Sequence, residues 1–140
     1  MRKIYLIGSM KNPRVAGVAT ALRARGHAVF DDWFSAGPEA DDCWQRYEAD
    51  RGRSYLEALN GHHARNVFEF DKRHLDAADT VVLVMPAGRS AHMELGYSVG
   101  RGKRCFVLFD AEPERYDIMY LFADAVFMAL EPLLSALNNA

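Results

Sequence analysis

Glu94 is an acid placed where covalent chemistry is possible. It lies in Gly88-Arg89-Ser90-Ala91-His92-Met93-Glu94-Leu95-Gly96-Tyr97, directly after the apolar run Thr80-Val81-Val82-Leu83-Val84-Met85-Pro86. The run has the length and composition of a buried strand, and the segment after it that of a helix from Ala91 to Arg101, stopped by Gly102. Ser90 is expected to cap that helix. The pattern therefore predicts a carboxylate in the first helical turn, at the carboxyl edge of a parallel sheet. Open α/β sheets bind their ligands at that edge. The helix dipole there favours an ionised acid, and an ionised carboxylate in a cleft can act as a nucleophile. An acid in a first turn also suits the dipole with no further role.

Other residues compete for attention. Gly8-Ser9-Met10 follows the first strand, where a phosphate-binding loop would lie. It lacks the full glycine fingerprint and the Gly-Lys-Ser/Thr of a P-loop. A tight βα turn and a loop donating backbone N–H groups to a ligand both fit it. His27, His62, His63, His74 and His92 show no metal-ligand spacing, nor do Cys43 and Cys105, so no metal or cofactor is expected. His92 points to a different helix face from Glu94 and is a candidate rim residue. Asp79 is expected to end a helix, and Asp71, earlier in the same helix, to face solvent. Trp33, Trp44 and Tyr47 either stack on a planar base or pin their segment to the domain.

The elements that must position these residues alternate. Lys3–Ile7 is predicted as a strand, followed by a helix with Val15, Val18, Ala19 and Leu22 inward, ended by Gly26. A brief strand, His27–Phe30, comes next. Residues 31–60 are polar and aromatic and form an irregular insertion, helical at most over Trp44–Leu59; long insertions in compact domains are usually functional. A helix is predicted over Ala64–Ala78, with Val67, Phe70, His74, Leu75 and Ala78 on one face. Strands at Thr80–Met85, Arg104–Phe109 and Ala125–Ala129 follow, with helices at Ala91–Arg101, Asp117–Ala123 and Pro132–Leu137. Such alternation gives a flavodoxin- or Rossmann-like three-layer α/β fold with a parallel sheet of about five strands. The 140 residues suffice for a single domain spanning 1–140.

A net charge of −2 offers no polycationic surface for nucleic acid or an acidic membrane. The apolar stretch ending at Gly8 is too short for a signal peptide or a membrane span. Two cysteines without a disulfide framework suggest reduced thiols in the cytoplasm.

Three blocks resemble the nucleoside 2-deoxyribosyltransferase superfamily, which includes nucleotide N-glycoside hydrolases. They are Ile4-Tyr5-Leu6-Ile7-Gly8-Ser9-Met10; Asp71 and Asp79 leading into Val81-Val82-Leu83-Val84; and, most specific, Ser90-Ala91-His92-Met93-Glu94-Leu95-Gly96-Tyr97 followed by Gly102-Lys103-Arg104. The resemblance implies that Glu94 attacks the anomeric carbon and holds the sugar covalently. Tyr5 would orient Glu94, and Asp71 would help protonate the departing base. Gly8, Ser9, Met10, Trp33, Gly88, Arg89 and Ser90 would line the substrate site. Asp117 would be supplied to a neighbouring subunit's site, where the family's transferases often carry an amide. The implied partners are a nucleoside or nucleotide, a free nucleobase and a second copy of the chain. Asp117 would repel a 5′-phosphate, which favours nucleosides; Arg89 and Ser90 could bind one. Residues 31–60 match no base-binding pattern, so the base stays open.

Overall fold

The structure is a computed structural model, and residues 1–138 are described. Five strands, β1 (Lys3–Ile7), β2 (Ala28–Phe30), β3 (Thr80–Val84), β4 (Arg104–Leu108) and β5 (Ala125–Phe127), form one sheet in the order β2-β1-β3-β4-β5. Every pairing is parallel. The five-stranded parallel sheet is as expected, and its order is the flavodoxin-like one of the two the sequence left open, with a topological switch between β1 and β3.

Six helices pack around it: α1 (Arg14–Ala24), α2 (Ala40–Asp50), α3 (Tyr55–Leu59), α4 (His62–Ala77), α5 (Arg89–Gly100) and α6 (Leu130–Asn138). The two-residue period of the strands divides the core in two. Ile4, Leu6, Val82, Val84, Phe106 and Leu108 face α1 and α6. Tyr5, Ile7, Val81, Leu83, Cys105 and Val107 face α4 and α5. Tyr5 is therefore a buried polar ring on the α4/α5 side because its strand neighbours must fill the other side. Each of α4 and α5 runs from the carboxyl edge of the sheet toward the amino edge, so the two helices lie parallel, side by side.

Residues 31–60 are more regular than their composition suggests. A 3-10 turn over Asp32–Ala36 precedes α2 and α3. Polar pairing, not apolar burial, orders the segment. Ser54 and Glu57 form a reciprocal capping box at the start of α3. The buried Glu48 carboxylate meets Arg53 at 2.6 Å, and Arg53 also donates to the Glu57 carbonyl at 2.7 Å. Charge-assisted bonds of this kind are the stronger class, which explains helices where hydrophobic period is weak.

The predicted inward face of α4 is only half correct. Leu75 and Ala78 are buried, but Val67 and Phe70 are largely exposed. A 16-residue helix is about 24 Å long, against about 17 Å for a five-residue strand. Roughly the first five residues of α4 thus overhang the carboxyl edge of the sheet. The shorter predicted helices and strands otherwise fall within a few residues of their observed bounds.

Candidate active site

Three elements converge beside the crevice. β1 contributes Tyr5, the middle of α4 contributes Asp71, and α5 contributes Glu94. The Tyr5 hydroxyl and the Glu94 carboxyl lie close enough for each to act on the other. Asp71 lies near enough for its charge to act on both groups. Burial pushes Glu94 up to about 7; the neighbouring Tyr5 hydroxyl lowers it and the Asp71 charge raises it. Burial also raises Asp71, while His74 opposes the rise. The Tyr5 hydroxyl is held neutral, first by burial and then by the two carboxylates.

Two expectations are corrected here. α5 begins at Arg89 with Gly88 as its N-cap, and no side chain caps it. Ser90 is therefore a first-turn residue and not the cap, and Glu94 stands in the second turn. The dipole acts mainly within the first turn, so at Glu94 desolvation prevails and favours the protonated acid. Asp71 does not face open solvent; it is half-buried, because it stands one and two turns before the buried Leu75 and Ala78 on the inward stripe of α4, close to Tyr5 and Glu94.

An aromatic wall stands beside the pair. Phe30 follows Tyr5 across the β1–β2 register and stacks on it at 5.2 Å. The His74 ring stacks on Phe30 at 4.1 Å, and Phe70 leans on both. None of the three is expected as a site residue from the sequence: Phe70 and His74 enter only as part of the inward face of a helix, and Phe30 only as the end of a strand. Their signal was available only for Phe30, as an aromatic at the carboxyl end of a strand next to β1.

The crevice floor joins two loops. Asn12 donates to the Val84 and Pro86 carbonyls at 3.4 and 3.3 Å, and Arg14 donates to the Met85 carbonyl at 3.1 Å. Between the loops lies a cavity of about 230 Å³ lined by Ser9, Lys11, Asn12, Pro86, Ala87 and Gly88. Met10 sits half-buried in the same loop, and Arg89 and Ser90 are exposed on the first turn of α5. At Gly8 a Cβ would come within 3.2 Å of Val15 and 3.5 Å of Trp33, so a side chain there would require Val15 to give by a few tenths of an ångström. Trp33 donates its indole N–H to the Leu6 carbonyl at 2.8 Å. It pins the insertion to β1, while its ring edge reaches Gly8 at the crevice.

Asp117 does not join this group. It caps a 3-10 turn, Ile118–Phe122, by accepting from the Met119 N–H at 2.8 Å. With His92, Gly96 and Tyr120 it lines a groove of about 390 Å³, on the face of α5 turned away from Glu94. His92 is half-buried and bonded to Tyr120 at 2.7 Å, so it acts as a link between segments and not as a free rim residue. Among the described residues, no group of three or more His, Cys, Asp or Glu could hold a metal, and no helix is long and apolar enough to cross a membrane.

The chain has a flavodoxin-like α/β fold with a tyrosine and two carboxyl groups close together beside its switch crevice. No protein-family model and no curated protein matches the sequence. Solved structures do match. One is a 2-deoxyribosyltransferase from the psychrotolerant bacterium Bacillus psychrosaccharolyticus, with a TM-score of 0.65 and 21% identity over 94% of this chain and 89% of that one. Another is the CMP N-glycosidase BcmB of Clostridium botulinum, with a TM-score of 0.54 and 15% identity over 96% and 97%. At these identities the likeness is one of fold.

Proposed function

We propose that this protein is an N-glycosidic enzyme of the nucleoside 2-deoxyribosyltransferase type. It cleaves the bond between base and sugar in 2′-deoxynucleosides and passes the sugar to another base or to water. The observation that carries the proposal is the convergence of Tyr5, Asp71 and Glu94 in one crevice. The two folds it resembles belong to a 2-deoxyribosyltransferase and a CMP N-glycosidase, which supports the same reading.

Each group has a task. Ionised Glu94 attacks the anomeric carbon as the C–N bond breaks. The bonding electrons leave with the base, whose ring nitrogen takes a proton from Asp71. A base or water then displaces Glu94 from the anomeric carbon and restores the carboxylate, as in retaining glycosidases. Both acids are raised by burial, Glu94 to about 7, and the Asp71 charge acts on Glu94, so their protonation is coupled. The reactive arrangement is the one with a proton on Asp71 and the Tyr5 hydrogen bond on anionic Glu94. The aromatic wall of Phe30 and Phe70, with Trp33 at the crevice edge, offers faces for a planar base.

A second substrate class has its own support. The first turn of α5 is uncapped and opens near Ser9 and Lys11, where a 5′-phosphate would find N–H donors and a cation. Under that reading the protein is a nucleoside 5′-monophosphate N-glycosidase. The active form is a homodimer or larger homo-oligomer in which Asp117 serves a neighbouring site. Tyr116, Ile118, Met119, Leu121 and Phe122 around it are strongly exposed, as a covered interface would require. Two free thiols, Cys43 and Cys105, suit a reducing cytoplasm.

The test is turnover of deoxynucleosides and of their 5′-monophosphates, with and without a second free base. Base exchange supports the transferase, and release without exchange the hydrolase. Preference for the monophosphates selects the second class. No turnover of any of them, with ligand still bound, overturns the enzymatic reading in favour of a nucleotide-sensing module.

A further inference from the structure

We infer that the Tyr97–Asp76 hydrogen bond is a positioning link that sets the approach of Asp71 to Glu94. The inference rests on the functional reading above and names two residues that touch neither sugar nor base.

The Tyr97 hydroxyl donates to the Asp76 carboxylate at 2.5 Å. Tyr97 stands three residues below Glu94 on α5, and Asp76 five residues below Asp71 on α4. Because the two helices run parallel, the link lies about 5–8 Å beneath the acid pair at 1.5 Å rise per residue. It is therefore the cross-helix bond adjacent to the site. The next one down is Lys103, whose ammonium donates to the Asp76 carbonyl at 3.0 Å and to the Ala78 carbonyl. That lower tie secures the bottom of the seam and leaves the level of the acids to Tyr97.

The link is held on both sides. Lys72 bonds the second Asp76 oxygen at 2.9 Å. Lys72 and Arg101 also lie over the Tyr97 ring, at 5.6 and 5.7 Å from its centroid. The first favours an ionised acceptor, and both restrain the ring. Asp76 is accordingly depressed, first by the Tyr97 bond and then by Lys72. A charged acceptor makes the hydrogen bond short and strong. Around Asp71, Phe70 and His74 pack toward Phe30 on β2, at the edge of the sheet away from α5, so they do not set the spacing between α4 and α5. A displacement of about 1 Å at a reacting group can cost up to about 10²-fold in rate, so a link this close to the pair has catalytic weight.

The experiment compares Tyr97→Phe, Asp76→Ala, Asp76→Asn and the Tyr97→Phe/Asp76→Ala pair with the parent. Tyr97→Phe keeps the ring and its cation contacts and removes only the hydroxyl. Turnover and the Glu94 carboxyl titration, followed by carboxyl carbon NMR, are both measured. The expected kcat loss is about tenfold or more for Tyr97→Phe and Asp76→Ala, with KM nearly unchanged. The double variant should be no worse than either single one, because both remove the same bond. Asp76→Asn keeps an acceptor oxygen and should recover most of the loss. The Glu94 midpoint should fall in Tyr97→Phe, as Asp71 and its charge move away and water enters. Parent-like kcat together with a parent-like Glu94 midpoint in Tyr97→Phe overturns the link. A parent protein that turns over no nucleoside or nucleotide defeats the proposed function, and the titration still decides the link.

Discussion

His92 Nε2 lies 2.7 Å from the Tyr120 hydroxyl, and His92 Nδ1 lies 2.7 Å from the Gly88 carbonyl. A carbonyl can only accept, so in the neutral ring the proton sits on Nδ1 and Nε2 accepts from Tyr120. One imidazole thus ties the 3-10 turn that follows Asp117 to the first turns of α5, two residues from Glu94. Tyr120 also packs edge-on against Phe109 at 5.3 Å. Tyr120→Phe keeps that packing and removes the bond. It should lower unfolding free energy by about 1 kcal/mol and speed amide exchange over residues 118–122. Denaturant unfolding and hydrogen exchange check this; unchanged exchange would show that packing alone holds the turn.

Glu94 should show itself in both rate and stability. Glu94→Gln should lower turnover on the order of 10³-fold or more, since it removes a reaction path and not one contact. In the parent, rate should fall about tenfold per pH unit below about 7 as the nucleophile takes up a proton. Stability moves the opposite way. A carboxyl raised from 4.5 to about 7 binds its proton more tightly in the folded state. Its contribution is full below about 4.5 and is lost as pH rises through about 7. The loss is on the order of 3 kcal/mol at most. Glu94→Gln should therefore melt higher than the parent at pH 8 and about equally at pH 5. A parent melting curve that does not weaken over this range, relative to Glu94→Gln, would refute the buried-acid assignment.

Asp71→Asn should depend on the leaving group. General acid help is typically worth about 10²–10⁴-fold, so a natural base that needs a proton should leave about that much more slowly. A substrate whose leaving group departs as a stable anion should lose far less. Equal losses on both kinds of substrate would assign Asp71 to binding and not to proton transfer.

Asp117 offers a test of shared sites. It is exposed and lies on the face of α5 turned from the Glu94 of its own chain. If a neighbour receives it, Asp117→Ala and Glu94→Ala proteins should each be weak or inactive alone. Mixed and allowed to exchange subunits, they should regain part of the parent activity, because some sites then carry both native residues. No recovery despite proven subunit exchange would place Asp117 outside the active site.

Much of the architecture was legible in the sequence. Lys3–Ile7 was recognised to the residue, because five apolar-rich residues ending at a glycine leave little choice. The alternation of strand and helix implied a parallel sheet, and the chain order of its strands is the flavodoxin-like one. The start of α5 was misplaced by two residues because Ser90 is a better cap by type than Gly88, the residue that serves. Asp71 was expected at the surface because an acid usually faces water, although it stands one turn before the buried Leu75; that Tyr5 and Glu94 lie beside it is a matter of tertiary packing.

By itself the sequence determined the layers, the acid that follows β3, and the strand parity that sends Tyr5 toward α4 and α5. These are local properties of period and residue type. Tertiary structure alone decided which groups meet. Tyr5, Asp71 and Glu94 are far apart in the chain, as are His92 and Tyr120, or Asp76 and Tyr97. It also decided that Glu94 is raised and not depressed, because desolvation depends on what the whole fold packs around a carboxyl, and the dipole of its own helix is the smaller effect.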